Sequence, residues 1–124
     1  MPYALGSRSL QNLSGVHPDL VAVVKLAISK TTQDFTVLEG IRNINRQREL
    51  VKTGKSTTMN SRHLTGHAVD LAPWPISWEW EGFYPIADAM KEAAEELDVN
   101  LEWGGDWKSF PDGPHFQLSR KTYP

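Results

Sequence analysis

Apolar residues recur at helical spacing in two stretches of the chain. In residues 19–30, Leu20, Val23, Val24, Ala27 and Ile28 fall on one face, and Pro18 suits a first helical turn. In residues 83–97, Ile86, Ala89, Met90, Ala93, Ala94 and Leu97 form a second amphipathic stripe. Elsewhere the apolar runs are short and read as strands. These are residues 35–39, closed by Gly40; 67–72, stopped by Pro73 and Pro75; 101–103, before Gly104-Gly105; and 115–118, after the turn residues Pro111-Asp112-Gly113-Pro114. Residues 43–52 read as a polar helix ending at Gly54, and residues 55–60 as a polar loop. Helices and strands mix without a regular βαβ rhythm. The pattern predicts an α+β fold, a small largely antiparallel sheet with helices packed on one side.

Composition narrows the reading. The 124 residues fit one domain, and a domain of this size buries about two-thirds of its unfolded surface, so it folds without staples. Thirteen basic and fifteen acidic residues leave a net charge of -2, which offers no electrostatic footprint for nucleic acid or an anionic membrane. There is no cysteine, so a metal would have to be held by His, Asp or Glu. Residues 1–20 contain no secretory apolar core, and no run approaches the ~18 apolar residues of a membrane span. Synthesis in the cytosol, no stable membrane association and a monomer are the expectations. The aromatics from Trp74 to Tyr84 fit a cleft wall, a lipid-facing patch or buried packing, and the alternating Trp78-Glu79-Trp80-Glu81 fits a half-exposed loop or strand.

Candidate chemistry gathers around three of the four histidines. A catalytic zinc ion needs three protein ligands and one open position for water. In the segment from Ser61 to Asp70, His63 and Asp70 converge if Thr65-Gly66 turns the chain, and a neighbouring strand can bring His115 beside Asp70. His67 is the rival ligand, but a His63/His67 pair needs a helical turn that Gly66 and the β-favouring residues after it oppose. Scattered surface histidines with a capping aspartate are the alternative. A catalytic water needs a general base within reach. Asp112, one turn before His115, is the candidate; Asp106 and Glu102 compete, and Pro-Asp-Gly is also an ordinary turn. Arg42, with Gln47, could supply a donor near a developing oxyanion, or be simply solvated.

These residues resemble a known family. A Ser-x-His-x-x-x-Gly-x-Ala-x-Asp type of motif is similar to Ser61 through Asp70, with two rather than three residues between His63 and Gly66. Together with Asp112-Gly113-Pro114-His115, it resembles the zinc D-Ala-D-Ala carboxypeptidase/L-alanyl-D-glutamate endopeptidase family. Glu39-Gly40-Ile41-Arg42, Arg46-Gln47 and Gly54-Lys55-Ser56 look like its phage endolysin branch. The resemblance implies one Zn2+ on His63, Asp70 and His115, Asp112 as catalytic base, Arg42 and Gln47 facing the substrate, and Ser61 in or beside the cleft. It places His67 at a variable position. It implies a peptidase of cell-wall stem peptides, made in the host cytoplasm and acting at the wall after release by another factor. A single catalytic domain over residues 1–124, without a cell-wall-binding domain, is the expected organisation. A D-alanyl-D-alanine carboxypeptidase or dipeptidase of the same family, and a non-catalytic zinc-containing wall-binding module, are the alternatives.

Overall fold

A computed structural model describes residues 2–56 and 58–124 of the chain. Its centre is a four-stranded sheet, antiparallel throughout, in the order β1-β2-β4-β3. The strands are β1 (Phe35–Glu39), β2 (Ala68–Pro73), β3 (Leu101–Trp103) and β4 (His115–Leu118). Two long helices, α2 (Pro18–Lys30) and α4 (Trp80–Glu96), pack against each other and against the sheet.

Alternation along the strands makes the sheet two-faced. Val37, Val69, Leu71, Phe116 and Leu118 join the buried faces of α2 and α4 in one core. The opposite face carries Asp70 and His115, which are directly paired across β2 and β4. A one-residue slip would turn four fully buried side chains, Val69, Leu71, Phe116 and Leu118, out of that core. At about 1.5–3 kcal/mol for each buried apolar side chain, that cost fixes the register.

Local signals explain the element ends. Pro18 sits at the start of α2, and His17 caps it by accepting from the Asp19 amide at 3.1 Å. A shorter helix, α3 (Ile44–Lys52), is capped by Asn43, whose Oδ1 accepts from the Arg46 amide at 2.8 Å. Two differences from the sequence reading stand out. The six-residue helix α1 (Ser7–Asn12) has no periodicity long enough to announce it. It covers the free edge of β1: Ser9 Oγ accepts from the Val37 amide at 3.0 Å, and Asn12 Nδ2 donates to the Val37 carbonyl at 2.8 Å. Helix α4 begins at Trp80, a turn before the apolar stripe, because Trp80 packs edge-on against both Phe83 and Trp103. The alternating Trp-Glu pairs are thus a helix entry, not a strand.

Candidate metal centre and cleft

Three elements deliver the metal-binding candidates. Asp70 and His115 come from the paired rung of β2 and β4. His63 comes from a 3-10 turn at Arg62–Thr65, which Ser61 caps by accepting from the His63 amide at 3.2 Å. Gly66 ends that turn with φ 75, a left-handed conformation open to glycine at little cost, and sends the chain into β2. The result brings His63 Nε2 to 3.2 Å and His115 Nδ1 to 3.4 Å from the same oxygen, Asp70 Oδ1. One ligand atom from each of the three residues lies within 4.8 Å of the others.

The far side of each imidazole sets its tautomer. His63 Nδ1 lies 2.7 Å from the Gly40 carbonyl, which can only accept, so Nδ1 carries a proton and Nε2 is the nitrogen turned to the centre. His115 Nε2 lies 2.8 Å from Gln117 Oε1, which likewise leaves Nδ1 for the centre. Two oriented imidazoles and a carboxylate make an N2O donor set that could hold a metal ion, a set of the kind zinc accepts. Burial works against the Asp70 carboxylate, but hydrogen bonds from His115 and His63 outweigh it and hold its pKa well below the usual range. Burial also opposes charge on His115, yet Asp70 and then Gln117 raise its pKa.

Glu39, Arg42 and Gln47 lie behind Asp70. The bulge between Val37 and Glu39 puts Glu39, rather than Leu38, opposite Asp70. Arg42 Nε donates to Glu39 Oε1, Nη1 to Gln47 Oε1 at 2.8 Å, and Nη2 stands 3.6 Å from Asp70 Oδ2. Gln47 is fully buried and spends its Nε2 on Ser56 Oγ and the Thr58 carbonyl. The sequence reading set Gln47 facing the substrate; its complete burial places it beneath Arg42 instead. Glu39 and Gln117 were not among the sequence candidates. Gln117 was within reach, since it follows His115 by two residues on one strand face.

Asp112 stands at the exposed rim of a cleft of about 840 Å3 that also holds His63, Asp70, His115, Arg42 and Ser61. Partial withdrawal from water and then the charge of Asp70 push its pKa up. Gly104 sets its position: the Gly104 carbonyl accepts from the Asp112 amide at 2.9 Å. The rivals lie apart. His67 bonds Thr65 Oγ1 at 2.6 Å and packs on His17, and Asp106 pairs with Lys91 at 2.7 Å. Glu102 lies on β3 opposite Gln117 and does not line the cleft.

Fold and site together define a metallopeptidase-type domain, and comparison with known proteins assigns the family. Residues 1–123 match the family described as phage L-alanyl-D-glutamate peptidase, and the chain belongs to it. The L-alanyl-D-glutamate peptidase of Escherichia phage T5 is 32% identical over 130 residues, covering 99% of this chain and 94% of that protein. The peptidoglycan L-alanyl-D-glutamate endopeptidase CwlK of Bacillus subtilis is 31% identical, covering 85% of this chain and 74% of its own. The crystal structure of the Serratia marcescens L-Ala D-Glu endopeptidase ChiX superposes with a TM-score of 0.91 at 52% identity, covering 95% of this chain and 91% of that one. The D,D-dipeptidase VanXYg shares the fold at a TM-score of 0.53 and 17% identity, over 83% of this chain and 50% of that one.

Proposed function

We propose that this protein is a zinc peptidase that cuts the L-alanyl-D-glutamate bond of peptidoglycan stem peptides, as a phage endolysin. The observation that carries this reading is the donor set, two imidazoles with fixed tautomers turned on one carboxylate inside an open cleft. Family membership supplies the bond. Zinc held by His63, Asp70 and His115 would polarise the scissile carbonyl and acidify a water to a pKa of ~7. Asp112 accepts the attacking water's proton and returns it to the departing amine of D-glutamate. Its place on the rim of the cleft that holds His63, Asp70 and His115 suits a base that must also give the proton back. Arg42 holds Asp70 through Oδ2, and Gln47 holds Arg42, so both act as positioning residues. Ser61 fixes the backbone of His63. Severing the bond separates stem peptides from the glycan and loosens the wall. Among the described residues no helix is long and apolar enough to cross a membrane. We place synthesis in the host cytoplasm and action at the wall, after release by another factor.

Digestion of purified peptidoglycan with and without a chelator, followed by mass spectrometry, tests this. Stem peptides with a new N-terminal D-glutamate, released only with metal, are the expected product. Release of D-alanine would move the protein to the carboxypeptidase branch. Binding to the wall without any fragment would make it a non-catalytic module. Asp112→Ala should keep stoichiometric zinc and lose most turnover; full turnover would refute Asp112 as the base.

A further inference from the structure

The cleft is lined by more than its donors and base. Trp78, just before α4, and Phe110, two residues before Asp112, both line it, and they are 63% and 74% exposed. Phe110 has a backbone φ of 51, a conformation that bulky residues rarely take, so the loop holds this ring out at a conformational cost. Trp78 is braced from behind by stacking on Phe83, which is buried, at 6.3 Å and 22°. Trp80 and Tyr84, also exposed and 6.1 Å apart, continue the aromatic surface along α4. Exposed aromatic surface continuous with a reaction cleft marks a ligand surface.

The bond that is cut identifies the ligand. In peptidoglycan, L-alanine is joined by an amide to the lactyl group of muramic acid. One residue and the lactyl unit therefore separate the scissile bond from the sugar ring, a span of at most about 7 Å. The sugar must enter the mouth of the cleft that binds the peptide. A pyranose ring presents a face of C–H bonds, and the negative face of an aromatic ring attracts them. A lipid surface would favour rings turned away from the donors, whereas Trp78 and Phe110 line the donors' own cleft. We propose that Trp78 and Phe110 form a subsite for the muramyl sugar that carries the stem peptide, an inference that rests on the L-alanyl-D-glutamate reading.

The test compares two substrates. One is the disaccharide-tripeptide N-acetylglucosaminyl-N-acetylmuramyl-L-Ala-D-Glu-diaminopimelate. The other is N-acetyl-L-Ala-D-Glu-diaminopimelate, which keeps the amide and lacks the sugar. The wild-type protein should prefer the first in kcat/KM by about tenfold. Trp78→Ala with Phe110→Ala should abolish that preference by raising KM about tenfold more on the disaccharide-tripeptide than on the acetyl peptide. Trp78→Phe and Phe110→Tyr should retain it. A wild-type protein without the preference overturns the subsite, as do alanine variants that keep it or that lose equally on both substrates while folded by circular dichroism. A wild-type protein that cuts neither substrate between alanine and glutamate would instead refute the parent reading.

Discussion

Gly104→Ala tests how tightly the loop before β4 holds the base. A Cβ at Gly104 would lie 2.4 Å from the Asp112 carbonyl oxygen and 3.0 Å from both Asp112 Cβ and His115 Cβ. Carbon–oxygen contacts normally close to no less than about 3.3 Å, so the Asp112 backbone must retreat by about 1 Å. That backbone carries the proposed base. A misplacement of about 1 Å at a reacting group costs about 10²-fold in rate. Overpacking costs about 1–3 kcal/mol, and because this is a surface loop that can yield, the loss should fall near the low end. For a chain of this size that lowers Tm by about 4 °C per kcal/mol. The assay is kcat and KM on a purified stem peptide, with Tm by circular dichroism and zinc stoichiometry measured alongside. The expected variant is folded and zinc-loaded, with kcat down about hundredfold. Adding Asp112→Ala to it should cost much less than the same change in wild type, because the base is already displaced. Gly6→Ala, whose Cβ meets nothing within 4 Å, is the neutral control. Wild-type kcat in Gly104→Ala would refute the reasoning.

Two other outcomes follow from the same geometry. Gln117→Leu removes the acceptor that fixes the His115 tautomer and should weaken zinc binding by about 10–100-fold in a competitive chelator titration; unchanged affinity would mean that the strand rung alone orients the ring. The raised pKa of Asp112 disfavours its ionised form in the metal-free fold, a stability cost absent at low pH and present once pH rises through that pKa. Metal-free Asp112→Asn should therefore melt above metal-free wild type at neutral pH, with the gap closing in acid; equal melting curves at pH 7 would contradict this.

What the sequence made legible follows from how local each signal is. Strand β1 and the stripes of α2 and α4 are periodic and could be read directly. The His63, Asp70 and His115 set was readable because a motif spaces it, and Gly66, which argues against a helical His63/His67 pair, is where the 3-10 turn ends. Glu39 stands in the Glu39-Gly40-Ile41-Arg42 motif without a site role, because its facing depends on a bulge in β1 that no residue in that strand announces. Gln47 was assigned the right neighbourhood and the wrong exposure, since a helix face cannot be oriented before its partner Arg42 is placed. Helix α1 is held by side-chain bonds to the edge of β1, a tertiary cause with no local trace.

The direct pairing of Asp70 with His115 has a practical consequence. The same strand alignment that hides Phe116 and Leu118 also sets Asp70 and His115 side by side, so the register that builds the core builds this pair too. With the metal held as proposed, maturation needs no separate step to assemble the centre, and a folded molecule needs only its ion. For a purified batch, the fraction able to take up stoichiometric metal counts the correctly folded molecules, which makes metal uptake a quality measure for preparations of this enzyme.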